Sequence, residues 1–149
     1  MEKEIATNRK AYRDYKILET VEAGIVLRGT EVKSIRQGHV QIDGAFVRIE
    51  KNQAYLWQAK IEPYENAAHD NHEPLAPRKL LLRRSQIQRL YSQSAIKGRT
   101  LVALKMYWKN NYVKVLIALA QGKQQHDKRA ELKKAEAERE IARRFRRSS

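Results

Sequence analysis

The sequence contains no cysteine, so disulfide bonds and metal sites built on thiolates are excluded, and a reducing compartment is indicated. No apolar run approaches the roughly 20 residues that a membrane-spanning helix needs. The first segment, from Met1 to Tyr15, also lacks the apolar core of a secretory signal peptide. Together these absences predict a soluble, cytoplasmic protein.

Patterns typical of catalysis are scarce as well. The six glycines stand singly, so there is no glycine-rich phosphate loop. The segment HDNHE, from His69 to Glu73, could bind a metal, but it lies in a proline-rich stretch and lacks the i, i+4 histidines of a zinc helix. Solvated loop residues are the favoured interpretation. Ser85, Ser92 and Ser94 have no triad context, so the sequence predicts no catalytic residues, no metal site and no cofactor.

What the sequence does have is positive charge. Lysine and arginine number 31 against 17 acidic residues, which gives a net charge of +14. Such an excess indicates a polyanionic partner, either nucleic acid or an acidic membrane surface, with a merely soluble cationic protein as the alternative. Before Lys123 there are 21 basic and 12 acidic residues, and from Lys123 onward there are 10 and 5. Both parts of the chain are therefore basic.

Strand-like segments dominate residues 1–122. The segment from Tyr15 to Gly29 is rich in β-branched and aliphatic residues, and Gly24 predicts a bend or bulge in it. Two hairpins are predicted, with turns at residues 51–53 and 109–111, where asparagine tolerates positive φ. In the second strand of the first hairpin, alternation places four residues on one face, namely Tyr55, Trp57, Ala59 and Ile61.

Two short helices accompany these strands. The first spans Thr30 to Gln37, is capped by Thr30 and ends at Gly38, with Val32 and Ile35 facing the core. The second opens at Ser85 with Gln88 three residues on, a capping-box pattern, and closes at Gly98. Its predicted inner stripe is Ile87, Leu90, Tyr91 and Ser94.

Five or more short strands with two helices predict a mainly β fold. We expect residues 1–122 to form a small OB-like antiparallel β-barrel, a kind of fold that binds RNA or DNA on a strand face and flanking loops. The segment between the hairpins, from Glu62 to Lys79, holds all three prolines and predicts an exposed, mobile loop.

Residues 123–149 form a basic C-terminal tail. Ala137, Ile141 and Phe145 recur at helical spacing, but this apolar stripe is too narrow to dock firmly. The prediction is a tail that is disordered when free and helical when bound. The alternative is a helix that packs back onto the barrel.

Two segments combine cations with apolar side chains in a way that suits RNA. Near the N-terminus, cations for phosphates alternate with rings for stacking: Asn8, Arg9, Lys10, Tyr12, Arg13 and Tyr15. The alternative there is a basic terminus whose tyrosines pack on the barrel. The second segment surrounds an aliphatic strand with cations, namely Arg78, Lys79, Arg83 and Arg84. Its alternative is a charged sheet edge that discourages strand pairing.

Several segments together resemble the SsrA-binding protein (SmpB) family, the bacterial partner of transfer-messenger RNA. They are NRKAYRDY, LETVEAGIVLRGTEVKSIRQG, RKLLL, MYWKN and GKQQHDKR, and they run in family order from about Asn8 to Arg129. The resemblance implies an OB-like barrel with a disordered tail, no catalysis, no cofactor, a monomer and no membrane partner. It also implies an adaptor that binds the tRNA-like domain of transfer-messenger RNA. With elongation factor Tu, it would deliver that RNA to stalled ribosomes for trans-translation.

The resemblance also assigns residues. It implies RNA contacts in the barrel from Asn8, Arg9, Lys10, Glu22, Lys33, Ser34, Arg36, Lys79, Leu80 and Leu81. In the tail it implies that His126, Asp127, Lys128 and Arg129 meet the decoding centre of the small subunit, while the tail occupies the empty mRNA channel. The sequence departs from the family pattern at Arg13, where histidine is usual, and at Gln124, where lysine is frequent.

Some alternatives stay open. Glu22 could accept hydrogen bonds from base amino groups or 2′-hydroxyls, or it could hold a neighbouring arginine. A ribosomal protein would have a similar charge and a tail that orders on assembly. An RNA-processing enzyme is the other rival, and only the loop histidines favour it.

Overall fold

The computed structural model describes residues 2–67 and 69–122, together with Arg139, Ile141 and Arg143. Between residues 2 and 122 the described chain forms nine strands and three helices: β1 (Glu2–Thr7), α1 (Arg9–Asp14), β2 (Tyr15–Ile25), α2 (Gly29–Arg36), β3 (Val40–Gln41), β4 (Phe46–Glu50), β5 (Gln53–Trp57), β6 (Lys60–Ile61), β7 (Arg78–Leu81), α3 (Arg84–Ser94), β8 (Arg99–Lys109) and β9 (Tyr112–Gly122). None of the described helices is long and apolar enough to cross a membrane.

Six of the strands close into an antiparallel barrel. Hydrogen bonds join β8, β4, β5, β7, β2 and β9 in that order, and β9 pairs with β8 to complete the ring. β1 adds to the second half of β8, beyond the point where Val102 of β8 pairs with β4. β3 and β6 pair with each other separately. The predicted mainly β, OB-like antiparallel barrel is confirmed, although β1 and α1 are elements that the sequence did not predict.

Both hairpins turn where the asparagines predicted. Asn52 has a φ of 63° and Asn111 a φ of 67°, and the residue before each is also left-handed. Two successive residues with positive φ match the right-handed twist of the flanking strands, which is the geometry of the favoured two-residue hairpin loop. The turns are one residue tighter than predicted, because Gln53 and Lys109 already pair within the strands.

Gln58 breaks the strand that was predicted to run on through Ile61. Its φ is 61°, so the backbone leaves the extended conformation and the alternation of faces shifts by one residue. Tyr55 and Trp57 therefore lie half-buried on the outer side of β5. The interior holds the residues Ala54, Leu56, Ala59 and Ile61. The prediction that Tyr55, Trp57, Ala59 and Ile61 share one face is wrong for this reason.

Both predicted helices exist, but each begins before its predicted cap. Arg28 is the cap residue of α2, and its backbone N–H donates to Glu31 Oε1 over 2.8 Å. Arg83 caps α3 in the same way, because its backbone N–H donates to Gln86 Oε1 over 2.9 Å. Thr30 and Ser85 are therefore not caps. Gly38 ends α2 with a φ of 77°, as predicted.

The inner face of α3 is narrower than predicted. Ile87 and Leu90 are buried, whereas Tyr91 is 61% exposed and Ser94 is half-buried. In α2, Ile35 is buried and Val32 half-buried, while Lys33 and Arg36 point outward. α2 therefore presents its two cations to solvent, as the sequence predicts.

The loop between β6 and β7 is largely exposed, as predicted, but one of its residues, His72, is buried against the barrel. His72 is only 4% exposed. Its Nδ1 lies 2.9 Å from Thr30 Oγ1, and its Nε2 lies 2.9 Å from the Ile61 carbonyl oxygen. The hydroxyl of Thr30 therefore hydrogen-bonds to this loop. His72 is a buried structural residue rather than a solvated one.

A buried ion pair joins α2 to β7. The guanidinium of Arg78 donates from Nε to Glu31 Oε2, and its other nitrogens donate to the carbonyls of Ala59, Glu73 and Pro74. Both charged side chains are at least 95% buried. β7 lies between β5 and β2, so the alternative that its cations mark a sheet edge is wrong.

We predict that Arg78→Met lowers the free energy of unfolding by about 3–5 kcal/mol, because it leaves the Glu31 carboxylate buried without its partner. Urea unfolding followed by circular dichroism measures this. The matched control is Arg48→Met, since Arg48 pairs with Glu50 on the surface and should cost about 1 kcal/mol or less. Equal losses in the two variants would contradict the structural role of the buried pair, and a Glu31→Met/Arg78→Met double variant should recover most of the loss.

Candidate nucleic-acid interface

A cationic groove runs over the outside of β2, β7 and β9. Its larger part has a volume of about 650 Å³, and its smaller part, toward α2, about 250 Å³. The two parts share Gly24, Leu81 and Lys114, so they form one continuous surface. We call it the groove surface and define it by Glu22, Gly24, Arg36, Lys79, Leu81, Arg83, Trp108, Tyr112 and Lys114.

Strand alternation explains why these side chains point outward. In β7, Lys79 and Leu81 alternate with the buried Arg78 and Leu80. Gly24 pairs with Leu81 on one side of β2 and with Lys114 of β9 on the other. The row formed by Leu81, Gly24 and Lys114 therefore crosses three neighbouring strands.

Gly24 keeps the floor of this groove open. A Cβ at this position would lie 3.3 Å from Leu81 Cβ, which is tighter than an ordinary contact. The predicted bulge at Gly24 is wrong, because the register irregularity in β2 falls between Ile17 and Glu19. What the structure shows at Gly24 is close approach across the strands to Leu81.

Aromatic rings lie beside the cations of α2. The guanidinium of Arg36 stands 6.0 Å from the ring centre of Trp108, and Lys33 Nζ stands 5.4 Å from that of Tyr64. Tyr112 is 70% exposed and Leu81 is 54% exposed, both within the groove surface. Exposed rings among cations are suited to stacking on bases while lysine and arginine meet phosphates.

Glu22 is the acidic member of the groove surface. Its Oε2 accepts a hydrogen bond of 2.5 Å from the Tyr107 hydroxyl, and Lys109 Nζ lies 3.3 Å from both carboxylate oxygens. The Tyr107 hydrogen bond lowers the pKa of Glu22, partial burial opposes this, and Lys109 adds to the lowering. Of the two roles left open by the sequence, holding an arginine is not what this carboxylate does here, because its partners are a tyrosine and a lysine.

The N-terminal cations Arg9 and Lys10 lie on α1. α1 packs through Ala11 onto the outer face of β8 and β9, where Leu116 borders the buried cluster. Leu116 also lines a neighbouring groove of about 460 Å³ together with Glu22. Arg9 and Lys10 are exposed on α1, and Lys10 lines a separate pocket with Gly44 and Phe46 beside β4. Tyr15 packs on the cluster beneath α1, which confirms the packing alternative for that residue.

Three of the residues assigned to RNA contact have buried side chains in this structure. Asn8 is 1% exposed, its Oδ1 accepts from the Ala11 N–H over 3.1 Å, and its Nδ2 donates to the Ala103 carbonyl over 2.9 Å. Ser34 and Leu80 are likewise enclosed. Leu80 nevertheless lines the larger part of the groove, between its exposed neighbours Lys79 and Leu81.

Sequence reasoning missed three residues of the groove surface, namely Trp108, Tyr112 and Lys114, and the two partners of Glu22, Tyr107 and Lys109. The segment MYWKN was noted only as part of a resemblance. Alternation along the second hairpin could have placed Tyr112 and Lys114 on one face, but nothing local to the sequence says that β9 pairs with β2.

Other assigned residues stay untested. His126, Asp127, Lys128 and Arg129 lie outside the described residues, as does the predicted change of the tail from disorder to helix. In the part of the chain that the structure describes, no group of histidine and carboxylate side chains could hold a metal ion.

Known proteins resemble this chain over most of its length. The pattern of the SmpB protein family matches residues 5–147. The SsrA-binding protein of Carboxydothermus hydrogenoformans is 54% identical over 141 residues, which cover 95% of each chain. That of Aquifex aeolicus is 54% identical over 142 residues, which cover 95% of this chain and 90% of the relative. Because these matches cover nearly all of both proteins, the resemblance concerns the whole chain.

A solved structure is similar as well. It is described as "tmRNA-SmpB: a journey to the center of the bacterial ribosome", and one of its chains has a TM-score of 0.64 with 45% sequence identity. The match covers 84% of this chain and 85% of that one. At this identity the likeness concerns sequence and fold together.

We predict that Asn8→Ala mainly lowers stability, whereas Arg9→Ala mainly weakens RNA binding. Asn8→Ala removes the cap of α1 and a buried hydrogen bond, so it should lower the free energy of unfolding by about 2 kcal/mol. Arg9→Ala removes an exposed cation, so it should leave stability within about 0.5 kcal/mol of the parent while weakening RNA binding. Chemical unfolding and a gel-shift titration measure the two effects. A stable Asn8→Ala protein with weakened RNA binding would instead indicate direct contact by Asn8.

Proposed function

Because the chain belongs to the SmpB protein family, we propose that it is an RNA-binding adaptor in ribosome rescue. It binds the tRNA-like domain of transfer-messenger RNA and delivers that RNA to stalled ribosomes for trans-translation. Transfer-messenger RNA and the ribosome are its partners, in keeping with the names of its relatives and of the similar solved structure.

The groove surface is the observation that carries this proposal. Lys79 and Arg83 are exposed along one side of it, and Arg36 and Lys114 complete a cationic rim. Phosphates of a folded RNA meet this rim, while Leu81 and the rings of Trp108 and Tyr112 offer apolar faces to bases or riboses. A folded RNA is read mostly by shape and backbone, which suits a broad open groove better than a closed pocket.

The tail has a separate task in this proposal. Residues 123–149 carry 10 basic and 5 acidic residues and have little to bury, so they suit a channel walled by RNA. His126, Asp127, Lys128 and Arg129 meet the decoding centre, and the rest of the tail becomes helical in the empty mRNA channel. The support is the sequence pattern and the family resemblance.

The finer parts of the proposal concern the delivery complex. The protein acts as a monomer in the cytoplasm and reaches the ribosome with elongation factor Tu. It contributes binding and no catalysis, because every step assigned to it is recognition of RNA. An adaptor of this kind is substoichiometric and enriched on stalled ribosomes, whereas a ribosomal protein would sediment stoichiometrically with all of them.

We predict that cations of the assigned surface set the salt dependence of RNA binding. Lys33→Ala, Arg36→Ala and Lys79→Ala should each weaken binding to the tRNA-like RNA. Each should also reduce the slope of log affinity against log salt by about 0.7–0.9, because one phosphate contact is lost. The measurement is a titration at several salt concentrations.

The control for this series is Arg48→Ala. β4 lies three strands from β2 in the six-strand ring, so Arg48 is on the far side of the barrel. Its loss should leave the slope unchanged. An unchanged slope in all three test variants would remove Lys33 of α2 and the groove-surface cations Arg36 and Lys79 from the interface.

We predict that cutting the chain after Gly122 separates RNA binding from ribosome rescue. The truncated protein keeps every barrel strand, so its RNA affinity should fall only modestly. Tagging of stalled nascent chains should fail, because nothing then fills the channel. A gel-shift titration paired with a reconstituted tagging assay measures both. Normal tagging by the truncated protein, or a parallel loss of binding and tagging, would contradict this division of tasks.

A further inference from the structure

We propose that Tyr107 is a positioning residue for RNA recognition, because its hydroxyl and the Lys109 ammonium fix the Glu22 carboxylate as an acceptor in the groove surface. This inference rests on the proposed RNA-binding function. It answers why a carboxylate stands in a cationic groove, and it assigns to Tyr107 a role that acts through Glu22.

The three residues meet across three strands. Glu22 of β2 pairs with Leu116 of β9, and Tyr107 of β8 pairs with Lys114 of β9. Glu22 and Tyr107 are therefore diagonal neighbours separated by the width of β9. The Tyr107 hydroxyl reaches over that strand to Glu22 Oε2 at 2.5 Å.

The carboxylate keeps room for a further partner. Two carboxylate oxygens offer about four acceptor positions. Tyr107 occupies one on Oε2, and Lys109 Nζ lies 3.3 Å from each oxygen. The side chain of Glu22 is 33% exposed and lines both neighbouring grooves. An incoming donor can therefore reach Oε1 without displacing Tyr107.

The chemistry of the partner follows from the charge of Glu22. A carboxylate repels phosphate, but it accepts hydrogen bonds from base amino groups and from 2′-hydroxyls. The cations around Glu22 bind phosphates, whereas Glu22 accepts a hydrogen bond from a neutral donor at one fixed position. The cations therefore bind any RNA, and Glu22 favours an RNA that places a base amino group or a 2′-hydroxyl at that position.

Positioning is needed because other charges compete for the same carboxylate. The charged groups that face Glu22 from the neighbouring strands are Glu2, Glu4, Lys79, Lys105, Lys109 and Lys114, with Arg83 at the rim. A glutamate released from Tyr107 could turn toward Lys105 or Lys114 and form an ordinary surface ion pair. The carboxylate would then no longer face the RNA, and a cation that binds phosphate would be lost.

Tyr107→Phe tests the proposal, because it removes the hydroxyl and keeps the ring. We expect about a tenfold weaker affinity for the tRNA-like RNA, as a hydrogen bond to a charged group is lost. The salt slope should stay unchanged, since no phosphate contact is removed. In a Glu22→Gln background, Tyr107→Phe should change affinity less than twofold. The matched control is Tyr91→Phe on α3, which should bind like the parent.

A pH profile supplies a readout that a merely structural role would not move. The Tyr107 hydrogen bond lowers the pKa of Glu22, so its loss raises that pKa. As pH falls, the Tyr107→Phe protein should therefore protonate Glu22, and lose RNA affinity, at a higher pH than the parent. NMR of the Glu22 side-chain carboxyl measures the pKa shift without any RNA.

The outcomes separate this inference from the proposed function. A raised Glu22 pKa with parental RNA affinity overturns the positioning role, as does full additivity of Tyr107→Phe and Glu22→Gln. If neither Glu22→Gln nor any of Lys33→Ala, Arg36→Ala and Lys79→Ala weakens binding, the proposed RNA surface itself is overturned. If Tyr107→Phe destabilises the barrel, Lys109→Met removes the other partner of Glu22 and should show the same non-additivity with Glu22→Gln.

Discussion

A carboxylate and a guanidinium meet inside the protein at Glu31 and Arg78, and this contact fixes two elements at once. With Arg78 pointing inward, strand alternation forces Lys79 outward into the groove surface. With Glu31 pointing inward, the helical period turns Lys33 and Arg36 toward solvent. A shift of β7 by one residue, or a rotation of α2, would separate Glu31 from Arg78 and turn Lys79, Lys33 and Arg36 away from their present positions. The buried ion pair thus determines which cations of β7 and α2 are exposed.

The groove surface also depends on strands that are far apart in the chain. β2 lies between β7 and β9, so residues near positions 22, 80 and 114 meet on one face. Gly24 occupies the crossing point and contributes only space. Each of these strands has a strand partner on both sides within the closed ring, although β2 pairs with β7 only at Gly24 and Ile25.

The local part of this architecture was predictable from the sequence. The asparagines correctly predicted both hairpin turns, and Gly38 correctly predicted the end of α2. The number and shortness of the strands correctly predicted a barrel. Cap residues were misplaced because Arg28 and Arg83 cap through their backbone N–H groups, which bond to Glu31 and Gln86, and arginine is not a typical cap. The burial of His72 and Arg78 was missed because the partners that hold them lie far away along the chain. Part of the cationic surface was predictable, because the exposed cations of β7 and α2 follow from the local sequence. The positions of Lys114 and of Tyr107 beside Glu22 were not predictable, because they depend on the pairing of β9 with β2 and β8.

β9 gives the barrel a fixed span between its two ends. It begins at Tyr112 in the groove surface and ends at Gly122, which pairs with Tyr15 and donates its N–H to the Gly98 carbonyl. At about 3.3 Å per residue, the strand holds these ends roughly 30 Å apart. Mutual repulsion between two polyanions fades over about 8–10 Å at physiological salt. In the proposal above, RNA binds the groove surface and residues 123–149 enter the ribosome, so the two binding regions begin at opposite ends of β9. The separation is about three screening lengths, so under that proposal a strand of this length keeps repulsion between the two RNA partners from opposing either binding event.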